Sequence, residues 1–320
     1  MRLDNDTVRQ LKYSSALFLT AFIWGNAFVV QVLGMDFMGP LTFTWARSLA
    51  GGLFLLLLIP LVERLAGAPR PAASHWKNPS LWVGGVAMGL CLYAATVLQQ
   101  VGLMTVPVGK AGFLTALYIV FVPLFAVFSG RRVAAHILAA GAICLAGVWL
   151  LCMGGESLSL REGDLLVLAC AAVFALHILV IDRFVRKADA LRMSALQFFV
   201  GGTLGLAVAA AFEEIELEAL LAGAACILYA GCLSNGVAYT LQVIGQKGVH
   251  PALASLIMSL ESAISALAGW FWLGQALTAR EVLGCVVMGL AIVLAQLPPG
   301  VFARKPGTAR LRNPFSRPRR

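Results

Sequence analysis

The chain has 320 residues, 60% of them hydrophobic and only 12% charged, with a mean hydropathy of +0.87 and a net charge of +9. A soluble domain carries about a quarter of its residues as charges, so this chain cannot cover its own surface in water and a bilayer is its natural solvent. The net charge does not read as nucleic-acid binding, because the basic residues sit in short connections and the C-terminal tail and not along one helix face.

Apolar runs long enough to cross ~30 Å of hydrocarbon predict ten spans, at 14–34, 40–62, 80–103, 107–129, 133–153, 164–182, 193–212, 219–245, 250–273 and 280–297. The first run has no convincing cleavage site after it and reads as a helix, with residues 1–13 preceding it as a cytoplasmic segment. Near its middle stand Trp24, Gly25 and Asn26. An amide such as Asn26 in a span is expected to bond to a neighbouring helix, and Trp24 either lines a cavity or packs helices.

The second span opens with Gly39-Pro40-Leu41-Thr42-Phe43 and carries Arg47 about two turns in. The fork of Arg47 fits an anionic group such as a carboxylate; the alternative is that it locks helices through carbonyls or snorkels outward. Gln99 and Gln100, like Gln242 later, lie near helix ends and are expected at the interface. The fourth span begins Gly109-Lys110-Ala111-Gly112-Phe113, where small residues permit close approach and Lys110 either meets a ligand or snorkels. Tyr118 in the same span is an aromatic candidate for a cavity wall, as are Trp45, Tyr93 and Tyr239.

His177 in the sixth span is either a proton relay at neutral pH or a satisfied interior histidine. The eighth span is interrupted by the polar group Ser234-Asn235-Gly236. Glu261 lies about eleven residues into the ninth, hence ~16 Å deep. A charge there costs at least a few kcal/mol. Three roles stand open for it: carrying a coupling proton, pairing with a substrate ammonium, or bonding across a helix interface as a structural acid. From Pro298 the chain is Pro/Gly-rich and basic, which predicts a disordered tail over 298–320.

The seven cysteines all fall inside apolar runs with no CxxC pair, so neither a disulfide framework nor a zinc site is expected. With both termini cytoplasmic, about 20 of the 24 Lys and Arg fall inside; Lys110, Arg161 and Arg280 fall outside and Arg47 within a span. The acidic connection Glu213-Glu214-Ile215-Glu216-Leu217-Glu218 then lies outside.

Two segments match each other at one spacing: Pro107 aligns with Pro251, Thr115 with Ser259 and Gly130 with Gly274. Upstream, Leu98-Gln99 matches Leu241-Gln242 after a one-residue slip. A unit of five helices is odd, so its second copy enters the membrane from the opposite side. Inverted repeats are a signature of secondary transporters, whose site lies between the halves near the midplane.

At Trp24-Gly25-Asn26, Gly39-Pro40-Leu41-Thr42-Phe43 to Arg47, Gly109-Lys110-Ala111-Gly112-Phe113, and Leu260-Glu261-Ser262 followed by Leu273-Gly274, the chain resembles the drug/metabolite transporter superfamily, specifically proteins with two EamA-type domains. The resemblance covers roughly 14–297, as one five-helix repeat at 14–153 and a second at 164–297. It departs where family members often read Leu-Gly-Glu after the fourth and ninth helices, since Arg131 and Gln275 stand here. Ser262 also replaces the proline that commonly follows the ninth-helix acid.

The resemblance implies an all-α membrane protein of ten transmembrane helices, folded as two inverted five-helix repeats around a central cavity with alternating access. It implies transport, with export the leading direction, of amino acids, related metabolites or drug-like compounds. A small-molecule substrate and the lipid bilayer are the expected partners, protons are a candidate coupling ion through Glu261, and the assembly is a monomer or weak homodimer. No cofactor or metal is expected, and the location is a bacterial-type inner membrane. The alternatives are a channel, a membrane receptor or an intramembrane enzyme. An enzyme is not expected, since the sequence has no HExxH, GxSxG, paired aspartates or His/Cys cluster at ligand spacing, and the missing Walker loop argues against ATP-driven pumping.

Overall fold

The computed structural model describes residues 5–65, 75–106, 108–153, 160–273 and 276–297, and all regular structure among them is helical. The tail 298–320, Pro107, Gly274 and Gln275 lie outside the described residues. Among the described residues ten helices are long and apolar enough to span a membrane, and they are numbered here in chain order. The first five are α1 Val8–Met35, α2 Pro40–Leu65, α3 Pro79–Gly102, α4 Lys110–Phe128 and α5 Ala135–Cys152. The second five are α6 Glu162–Phe184, α7 Ala190–Phe212, α8 Ala224–Gly245, α9 Pro251–Ala268 and α10 Ala279–Gln296. The protein is a multi-pass membrane protein.

Most boundaries fall within a few residues of those expected, and the exceptions have local causes. Helical backbone begins at Asn5, so the polar segment before Ser14 continues α1. No Gly or Pro interrupts it, and extending a helix already nucleated is easy. The expected eighth span is divided at Gly223, between a short helix Leu217–Ala222 and α8. The α7 start is fixed at Ala190 by the Asp189 carboxylate, which accepts from the Arg192 amide at 2.9 Å.

The helices pack in a pattern that maps onto itself when each is exchanged with the helix five places on. The most extensive contacts are α2 with α7 and α5 with α10, each a helix against its own counterpart. The α3–α6 contact has its image in α8–α1, and α3–α7 in α8–α2. The correspondence holds residue by residue. A Cβ on Gly52 would meet the Phe199 ring at 3.3 Å, and one on Gly202 would meet the backbone of Leu49 at 3.1 Å. Gly52 and Gly202, like Leu49 and Phe199, stand 150 positions apart. The halves are therefore related by a pseudo-two-fold axis across the α2–α7 crossing, as inverted repeats require.

The same relation explains the Gly39-Pro40-Leu41-Thr42 motif. At the face opposite the α1 N-terminus, the Glu213 carboxylate ends α7 and accepts from the Leu41 and Thr42 amides at 2.9 and 2.7 Å, capping α2. Pro40 occupies the first turn, where it has no intrahelical bond to lose. Gly39 leaves room for the acid, since a Cβ there would lie 2.4 Å from it. At the other face Glu63, 150 positions earlier than Glu213, ends α2 and pairs with Arg192 at the start of α7. One latch is a backbone cap and the other an ion pair.

Candidate functional site

Between the repeats lies a narrow cavity, of about 40 Å³ for the centres of water-sized spheres. Its walls come from α1, α2, α3, α4, α6, α8 and α9. Three helices are irregular where they face it. The α4 span is broken at Leu117, between segments Val108–Ala116 and Tyr118–Phe128, and α9 is broken at Ser259. The Ser259 hydroxyl donates to the Leu256 carbonyl at 2.7 Å, a local bond that competes with the helical ladder. These breaks present Thr115, Tyr118, Met258 and Glu261 to the cavity. The third irregularity is a π-helical stretch in α8, Tyr229–Tyr239, which contains Ser234-Asn235-Gly236. Its Ser234 carbonyl accepts from the Trp24 indole at 3.4 Å, which gives the polar break a partner.

Opposite charges from different repeats reach this space. Arg47, only 4% exposed, donates through Nη1 to Gln31 Oε1 at 2.9 Å, while its Nη2 is buried with no hydrogen-bond partner among the described residues. A buried guanidinium nitrogen left unpaired is costly. Glu261 comes from α9, and the Tyr118 hydroxyl donates to its Oε1 at 3.2 Å. Trp24 and Tyr239 pack with ring centroids 4.5 Å apart and add aromatic faces, a favourable surface for a cation. Gln31, Gln99 and Gln242 supply amides, with Gln99 Nε2 donating to Thr115 Oγ1 at 3.2 Å.

Of the residues singled out from the sequence, Glu261, Arg47, Trp24 and Tyr118 line the cavity. Lys110, Asn26 and His177 are not in its wall. Lys110 is paired with Asp164 at 2.8 Å, both side chains under a tenth exposed, tying α4 to α6. Asp164 also accepts from the Arg161 amide at 2.8 Å, so one acid caps α6 and holds the lysine. Asn26 donates to the Phe22 carbonyl of its own helix at 2.9 Å, and among the described residues to no neighbouring helix. His177 is fully buried behind Tyr239, with Nε2 at 3.0 Å from Gln197 Oε1.

The glutamines depart from expectation. Gln99, Gln100 and Gln242 are buried, not interfacial, and Gln99 and Gln242 face the cavity. The signal was present in the repeat, because Leu98-Gln99 and Leu241-Gln242 are copies of each other. Matching places in two inverted halves are exchanged by the shared axis, so two such residues face a cavity between the halves together. Of the other aromatic candidates Tyr239 lines the cavity, whereas Trp45 and Tyr93 do not.

The model of the EamA-like transporter family matches residues 11–153 and again 161–297. An uncharacterized transporter of Archaeoglobus fulgidus is 27% identical over 91% of this chain and 87% of its own length. An S-adenosylmethionine/S-adenosylhomocysteine transporter of Chlamydia muridarum is 23% identical, covering 87% of this chain and 90% of that protein. A solved crystal structure, 18% identical, shares the fold with a TM-score of 0.69 over 89% of this chain and 96% of that one.

Proposed function

Because this chain belongs to the EamA-like transporter family and is a membrane transporter, we propose that it is a secondary carrier for small metabolites bearing both a carboxylate and a cationic group, moved by alternating access. The observation that carries this reading is the meeting of Arg47 and Glu261, from opposite repeats, in one aromatic-walled cavity. The unpartnered Nη2 of Arg47 suits a substrate carboxylate. Glu261 suits the cation, with Trp24 and Tyr239 as its aromatic surroundings. Amino acids have this pattern, and so does the solute in the name of the Chlamydia muridarum relative, which bears an amino-acid head group.

Glu261 is also the proton carrier in this reading: substrate cation and proton compete for one carboxylate, which couples their movements in opposite directions. That gives export driven by proton entry. In this reading both termini are cytoplasmic and the membrane is a bacterial-type inner one; the excess of Lys and Arg on that side supports the orientation. The test is counterflow in proteoliposomes with labelled amino acids and methionine-derived sulfonium compounds. Saturable exchange of one solute class, lost in Arg47→Ala and in Glu261→Gln, is the expected result. Exchange that survives both substitutions would remove the site. Folded protein that exchanges none of these solutes would remove the proposed substrate class.

A further inference from the structure

We propose that the groove between α4, α5 and α9 holds one anionic phospholipid, a site separate from the transport cavity and independent of the transport reading. The groove is apolar, walled by Ile119, Val120, Leu124 and Val127 of α4, Leu138 of α5 and Leu256 of α9. From Ile119 to Val127 the helix rises ~12 Å, close to the ~15 Å of one leaflet's hydrocarbon. Gly141 forms part of the wall, and a Cβ there would meet only Ile119 Cγ2 at 3.6 Å. Unlike the glycines at helix crossings, it keeps the groove open and does not admit another backbone.

At the end of this groove nearest the α1 N-terminus the lining changes sign and chemistry. The wall residue Ala252 follows Pro251, and four residues after Val127 comes Arg131; Pro251 and Arg131 both line a second hollow with Arg132, Arg186 and His250. Asp182 is the one acid in that hollow, and Arg131 already pairs with it. Arg132 and Arg186 are exposed and have no ion-pair partner among the described residues. An acyl slot that ends near two guanidinium groups without ion-pair partners matches a lipid whose headgroup phosphate diester carries no compensating cation. Guanidinium prefers such an oxyanion to the compensated charge of a zwitterionic headgroup.

The measurement is native mass spectrometry of the full chain released from nanodiscs containing equal phosphatidylglycerol and phosphatidylcholine with identical acyl chains. Native protein should retain one phosphatidylglycerol in preference to phosphatidylcholine. Arg132→Gln with Arg186→Gln, both on exposed positions, should weaken phosphatidylglycerol retention roughly 30-fold for two cations and equalise the two lipids. Gly141→Leu should lower retention of both lipids while leaving the protein monodisperse with an unchanged melting temperature. Equal retention of the two lipids by native protein, or an unchanged preference in the double variant, would overturn the proposal. Displacement of the lipid by millimolar inorganic phosphate would overturn it too, by assigning the hollow to a soluble anion.

Discussion

The Tyr118 hydroxyl lies 3.2 Å from Oε1 of Glu261, so the fourth helix of one repeat donates a hydrogen bond to the fourth helix of the other inside the cavity. Both residues sit directly after a break in their helices, Tyr118 after Leu117 and Glu261 two residues beyond Ser259. The bond therefore joins two of the three helices whose backbone is irregular at the cavity, one from each half.

Removing either partner should give different results. Glu261→Gln takes away the charge and the proton acceptor together, so substrate affinity should fall at least ~10-fold and the pH dependence of exchange should flatten. Tyr118→Phe removes only the donor. It should cost a few-fold in affinity, near the ~1 kcal/mol of one hydrogen bond, and keep the pH dependence. Exchange rates across pH 5.5–8.5, a range of about three units around neutral, distinguish the two.

The repeat-related amides give a second prediction. Gln99→Leu and Gln242→Leu should each raise the apparent KM several-fold, at ~1 kcal/mol per lost bond. Gln100→Leu, at a buried position outside the cavity wall, should alter stability more than KM. Counterflow at graded substrate concentration checks all three.

The two latches of the α2–α7 pair predict unequal losses of stability. Glu63→Gln leaves Arg192, only 3% exposed, with Asp189 alone at 3.3 Å, and should cost ~3 kcal/mol, as for a broken buried pair. Glu213→Gln keeps one carbonyl acceptor for the Leu41 and Thr42 amides and should cost about 1 kcal/mol. Gly39→Ala drives a methyl group against the Glu213 carboxylate and should cost ~1–3 kcal/mol. Thermal unfolding in detergent, read by light scattering and intrinsic fluorescence, ranks them.

Lys110 and Asp164 predict a structural signature. Lys110→Met alone strands a buried carboxylate and should lower the melting temperature sharply, whereas Lys110→Met with Asp164→Leu should recover most of the loss. The double variant should retain substrate affinity, because neither residue lines the cavity. A selective loss of affinity in that variant would show that the pair serves the solute.

Stretches of sequence carry some of this without a fold. A charged or strongly polar side chain inside an apolar run is conspicuous because a bilayer penalises it. Glu261 and Arg47 stand out for that reason, and so do Lys110, Asn26 and His177. Nothing local separates the two groups. Lys110 is satisfied by an acid 54 residues away and His177 by an amide 20 residues away, while Arg47 keeps a buried nitrogen with no hydrogen-bond partner among the described residues. Partners at such distances are fixed only when helices cross.

Composition and run length determined that this chain lives in a membrane and spans it ten times, because hydrocarbon thickness sets how many apolar residues a crossing needs. The internal match determined the two inverted halves, since a unit of five spans must reverse direction. Which polar groups face one another was decided by the tertiary structure alone. The α2–α7 crossing, with Gly52 and Gly202 in it, sets the axis, the breaks at Leu117 and Ser259 fall where α4 and α9 face the cavity, and Gln99 and Gln242 both end in the cavity wall. Those outcomes depend on close approach of helices far apart in sequence, and the energy of such contacts exists only once the halves have packed.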